Sequence, residues 1–71
     1  MKFLVIELQE SADGQVSNIV TSHDTFNEAE SKYYAVLSAA AVSSVPVHSA
    51  IMANSHGGYI DSKSFNHGET E

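Results

Sequence analysis

Asp24-Thr25-Phe26-Asn27-Glu28-Ala29-Glu30-Ser31-Lys32-Tyr33-Tyr34-Ala35-Val36-Leu37-Ser38-Ala39-Ala40-Ala41 is the stretch whose reading decides the fold. Thr25 and Glu28 fit a capping box, in which each side chain satisfies a free backbone donor at a helix start. From there Ala29, Tyr33, Val36, Leu37 and Ala40 fall on one helical stripe, so the segment predicts an amphipathic helix lying on a sheet. The alanines of its second half let it approach that sheet closely. Val42-Ser43-Ser44 and then Pro46 weaken helix propensity and predict its end.

Outward on the N-terminal side, residues 2–9 form a run of Phe3, Leu4, Val5, Ile6 and Leu8 broken only by Glu7, which reads as a strand covered on both faces. Asp13-Gly14 is a hairpin signal, because glycine takes positive φ without steric cost, and residues 16–21 return as a second strand. On the C-terminal side, residues 45–54 read as a third strand with Pro46 tolerated near its start. Ser55-His56-Gly57-Gly58 turns the chain into a fourth strand over 59–65, with Tyr59, Asp61, Lys63 and Phe65 on one face and Ile60 on the other. Residues 66–71 are polar and read as a frayed tail of a single domain spanning 1–71. The expected architecture is α+β, ββαββ, an antiparallel sheet with one helix packed on one face.

One helix leaves one sheet face bare. Leu4, Ile6 and Leu8 are the set expected to face the helix, with Phe3 and Val5 pointing away, and either Val47 and Ile51 or Ala50 and Met52 doing likewise. Large apolar residues on both faces predict a second copy of the chain as cover, a homo-oligomer. Size points the same way. A chain of 71 residues buries only about 60% of its unfolded surface, and one such core rarely supplies more than roughly 3–5 kcal/mol. With no cysteine, disulfides and thiolate metal sites are excluded, and His23, His48, His56 and His67 lack the spacing that puts two ligands on one helical face.

Formal charge is −6, with Lys2, Lys32 and Lys63 the fixed cations and no arginine. DNA and RNA are not expected as partners, because duplex affinity draws on several Lys/Arg–phosphate contacts. No run approaches the ~20 apolar residues of a membrane span, so no membrane partner is expected and the location expected is cytoplasmic.

Enzyme signatures are weak. His23-Asp24-Thr25 matches the His-x-Thr pattern of two-histidine phosphoesterases once, where that chemistry needs it twice, and it reads better as a turn entering the helix. No Gly-x-Ser-x-Gly elbow positions a serine, and Ser55-His56-Gly57-Gly58-Tyr59 lacks the lysine and following helix of a phosphate loop. The chain reads as non-catalytic and without a cofactor. Tyr33 and Tyr34 point about 100° apart on a helix, so one belongs to the core and the other to a boundary suited to stacking or an interface.

The stretches Met1-Lys2-Phe3-Leu4-Val5-Ile6-Glu7-Leu8-Gln9, Asp13-Gly14, Asn18-Ile19-Val20, Glu28-Ala29-Glu30-Ser31-Lys32-Tyr33-Tyr34, Ala39-Ala40-Ala41-Val42-Ser43 and Pro46-Val47-His48 together resemble a family of small phage and prophage proteins of Gram-positive hosts. The resemblance covers nearly the whole chain, implies a phage genomic setting, and with it the host-cell cytoplasm, but no established activity, and carries over no catalytic residue. In size and organisation the chain is also similar to viral counter-defence sponges. These are small homo-oligomers that hold immune signals such as cyclic nucleotides or ADP-ribose derivatives between subunits, a likeness of organisation that carries little functional weight alone. It implies a nucleotide-like ligand held by Tyr33, Tyr34, Lys32, His48, His56, Tyr59 and Lys63. Acidity and the lack of arginine count against phosphate binding. The leading expectation is a non-catalytic phage or prophage protein that sequesters such a ligand at a homo-oligomer interface and so inhibits host anti-phage defence; the rival is a protein-interaction or virion-accessory module that docks a phage or host protein through the apolar sheet face. Sequestration requires Tyr33 or Tyr34, a lysine and a histidine from different subunits to converge on one cavity, whereas docking requires a flat apolar face.

Overall fold

A computed structural model describes residues 1–68; the last three residues of the expected frayed tail lie outside the described residues. The order is β1 (Phe3–Glu10), β2 (Val16–His23), α1 (Phe26–Ala41), β3 (Val47–Asn54) and β4 (Tyr59–Asn66). The strands form one open antiparallel sheet in the order β2-β1-β3-β4, with α1 against one face. This is the expected ββαββ arrangement. The two hairpins meet along β1 and β3, so β2 and β3 run parallel with β1 between them and α1 crosses over to join them.

Local chemistry sets the ends of each element. Thr25, extended at φ −125°, accepts the Glu28 N–H at 3.2 Å, and Val42 closes the helix. In the first turn Gly14 takes φ 89°, and the Asp13 carboxylate accepts from the Ser11 hydroxyl and the Gln15 N–H. In the second, Gly57 takes φ 87° and the Asn54 side-chain oxygen accepts the N–H groups of His56 and Gly58, each at 2.9 Å. Asn66 closes β4, and the His67 and Gly68 N–H groups both donate to the Pro46 carbonyl.

The core is Val5 on β1, Ala50 and Met52 on β3, and Ala29, Tyr33 and Val36 on α1, with Phe3, Leu37 and Ile60 packed around them. The predicted helical stripe is therefore the buried one: Ala29, Tyr33, Val36 and Ala40 are buried and Leu37 is partly so. Ala29, Ala40 and Ala50 are fully buried, as a close helix–sheet approach requires.

β1 turns the other way from the expectation. Val5, directly opposite Met52, faces the helix together with Phe3, so Leu4, Ile6 and Leu8 lie on the uncovered face. The reason is steric: a helix brought close by its alanines leaves room over β1 and β3 for Val5 and Ala50 more readily than for Leu and Ile. β4 also departs from simple alternation. Its register against β3 passes from Met52↔Asp61 to Ala53↔Tyr59, a bulge that leaves Ile60 unpaired and packed on the core while Tyr59 is 68% exposed. No helix among the described residues is long and apolar enough to cross a membrane.

Replacing Thr25 by alanine removes the helix cap, and the expected outcome is a loss of about 1 kcal/mol in denaturant unfolding, with Thr25→Ser retaining most of the stability.

Candidate functional site

Register assigns every strand position to a face. The uncovered face carries Leu4, Ile6, Leu8 and Glu10 from β1, Val16, Asn18, Val20 and Ser22 from β2, and Val47, Ser49, Ile51 and Ala53 from β3. From β4 it takes Tyr59, Ser62, Ser64 and Asn66. Ile6 and Ile51 sit directly opposite each other at its middle, with Val20 beside Ile6 on β2. Leu4, Ile6, Leu8, Val47 and Ile51 are half-buried by one another, while Val16 and Val20 are exposed. Among the strand residues that register assigns to this face, Glu10 is the one that is charged, at its corner, in a chain of net charge −6. The other acids among the described residues stand on the turns, the helix and the opposite face.

That opposite face is where the sheet keeps its polar core. His48, 5% exposed, donates from Nε2 to the Glu7 carboxylate oxygen Oε2 at 2.5 Å. The same oxygen accepts from Gln9 Nε2 at 3.2 Å. His48 Nδ1 is buried without a partner, the one such side-chain atom among the described residues. Farther along, His67 donates at 2.7 Å to the Ala40 carbonyl at the end of α1, which also accepts the Ser43 N–H at 3.3 Å.

Within one protomer, none of the seven residues singled out for a nucleotide-like ligand lines either of the two hollows beside Pro46. Tyr33 is a core residue, 2% exposed, and Tyr34 beside it is 57% exposed, the division expected of adjacent helical tyrosines. Their ring centroids are 5.6 Å apart, and Tyr59 and Asp61 lie within electrostatic reach of the Tyr33 hydroxyl. Lys32 is half-buried on the helix, and Lys63 places its Nζ 5.4 Å from the centroid of the Phe65 ring. His48 is buried in its pair with Glu7, while His56 is exposed in the β3–β4 turn. From His48 to the end of β3 alone is about 20 Å at strand rise, too far for both histidines to touch one small ligand in one protomer. Two shallow hollows of about 260 and 380 Å³ flank Pro46, lined by other residues, chiefly Gln9, Ser11, Gln15 and Val45 for one and Glu10, Ala12, Val47 and Asn66 for the other. No group of three or more metal-ligating side chains occurs among the described residues.

No family model, curated protein or solved structure matches the chain. The uncovered apolar face is accordingly the candidate site on geometry alone. Sequence reasoning found the face as a problem of surplus apolar surface but put the wrong residues on it. The available signal was Glu7 and Gln9, whose shared parity with Val5 joins them to the polar His48 across the β1–β3 ladder.

Burial holds the pKa of Tyr33 above the ordinary tyrosine value, with the charge of Asp61 and the neighbouring Tyr59 and Tyr34 adding to the shift. The folded state thus retains this proton longer than the unfolded state, and stability falls as pH rises above roughly 10. Tyr33→Phe is expected to flatten that alkaline loss in thermal unfolding measured across pH 9–11. Glu7→Ala leaves a buried His48 donor unpaired and is expected to destabilise by about 1–3 kcal/mol in urea unfolding. A double-mutant cycle with His48→Ala is expected to return a coupling energy of about 0.5–3 kcal/mol.

Proposed function

We propose that the chain is a non-catalytic protein-interaction module whose uncovered sheet face docks an apolar, uncharged surface of another protein. One observation carries this reading: of the two faces available to β1, the more apolar set, Leu4, Ile6 and Leu8, is the one left without a covering element. Scattered exposed apolar residues are ordinary, but a contiguous patch spanning neighbouring strands is not.

Size and charge define the partner. Four eight-residue strands at a rise of ~3.3 Å and a spacing of ~4.8 Å give a footprint of about 500 Å². Docking over all of it buries roughly 1,000 Å² in total, the lower limit of a specific interface. A basic partner would find one carboxylate here, Glu10, whereas an apolar partner finds Ile6, Ile51, Leu4, Leu8 and Val20. Nucleotide sequestration would need groups from different subunits brought together, since His48 and His56 lie apart within the protomer and Lys2 is engaged with Asp24. The resemblance to small phage and prophage proteins supplies the setting in which a phage or host protein would be met.

The test is affinity capture from infected or lysogenic cells with wild-type protein, Ile51→Lys and, as a control on the far side of the molecule, Glu28→Gln. The expected result is a stoichiometric partner held by wild type and by Glu28→Gln, and weakened about tenfold or more by a charge at the centre of the face. Circular dichroism confirms that the variants are folded. Equal capture by Ile51→Lys removes the face from the interaction, and a cyclic nucleotide retained in native mass spectrometry would restore the ligand reading.

A further inference from the structure

The open sheet has two edges, and they are built differently. β4 is defended. It carries Asp61 and Lys63, and its ladder with β3 is broken by the bulge at Ile60. Charges, above all lysine, and bulges are the devices that keep a sheet edge from pairing with another strand.

β2 has none of them. Val16-Ser17-Asn18-Ile19-Val20-Thr21-Ser22-His23 contains no Lys, Arg, Asp, Glu or Pro, and it pairs with β1 in unbroken register over all eight residues. Its apolar side chains stand in solvent on both faces, with Ile19 54% exposed on the helix side and Val20 55% exposed on the open side. The backbone groups on its outer side point away from β1 with no partner strand beyond them.

We propose that β2 is the self-association edge of this protein, pairing antiparallel with the β2 of a second copy to make a continuous eight-stranded sheet. Three observations select a second copy as the occupant. The strand is uncharged in a chain of net charge −6, so two copies approach where mutual repulsion is least. Ile19 and Val20 are the central pair of the eight residues, so a two-fold axis normal to the sheet places Ile19 across from Ile19 or Val20 across from Val20. Antiparallel pairing also sets the turn containing Asp13 beside the partner's end that carries His23 and the Lys2–Asp24 pair, which keeps the two acidic turns at opposite ends.

The same axis puts both helices on one side and both uncovered faces on the other. The apolar surfaces then become one platform twice the size of either. This inference is independent of what the platform binds.

Native mass spectrometry and light scattering of the full chain test it, with hydrogen exchange followed as concentration rises. Wild type is expected at twice the 7.6 kDa chain mass, with β2 amides gaining protection on association and β4 amides unchanged. Ile19→Lys, at an exposed position that leaves the core intact, sets two lysines near the axis and is expected to weaken the dimer about tenfold or more. Ile51→Lys, on the open face, is expected to leave the dimer unchanged. A monomer at every concentration overturns the proposal. So does a dimer that survives Ile19→Lys but dissociates with Ile51→Lys, which would assign self-association to the open face. Should Ile19→Lys unfold, the wild-type exchange pattern decides, since protection elsewhere than β2 is also a refutation.

Discussion

Close contact between an alanine-lined helix and a two-strand strip of sheet is the constraint on which the rest of this structure depends. Ala29, Ala40 and Ala50 are fully buried, and Tyr33 and Val5 are the largest side chains closed away from solvent. A single sixteen-residue helix spans β1 and β3 and barely touches the edge strands. Ile19 therefore points to the helix side of β2 and is still exposed. The narrow core accounts both for the open face below the sheet and for the thin cover over its edges.

That contact also explains an inversion of ordinary hydrophobic preference. Turning β1 over would bury the half-buried Leu4, Ile6 and Leu8 and release Glu7 and Gln9 to water, at the cost of exposing Phe3 and Val5, so that one more large side chain is gained than lost, each worth at most about 1.5–3 kcal/mol when fully buried. The fold does the reverse. Bulk is one reason, because the space under the alanines suits Val5 and Ala50. The other is His48, which faces the helix and would lose the carboxylate that accepts its Nε2–H.

What was legible in the sequence was what is decided locally. The Thr25 cap, the helical stripe through Tyr33 and Val36, and the turns at Gly14 and Gly57 each depend on residues within a few positions of one another. The direction in which β1 faces does not. It is fixed by Met52, Ala50 and His48, more than forty residues away along the chain, and both parities of β1 begin with large apolar residues that give no local preference. The Ile60 bulge is equally nonlocal, since it exists only relative to β3, and it separates Tyr59 from the Asp61, Lys63 and Phe65 face to which strict alternation assigned it. Of the candidate site, the surplus of apolar surface was visible in the composition of β1. The residues that form it, and the fate of His48 as a buried partner of Glu7, required the ladder.

The Glu7–His48–Gln9 cluster and the bare face are two parts of one solution. A strand with apolar residues on both sides is poorly specified, since a slip of one residue exchanges its faces at small hydrophobic cost. A largely buried polar pair removes that degeneracy, because a one-residue slip turns Glu7 to the face opposite His48 and leaves a ring donor without its carboxylate. The cluster leaves His48 Nδ1 without a protein partner. Its effect is to keep Leu4, Ile6 and Leu8 pointing outward.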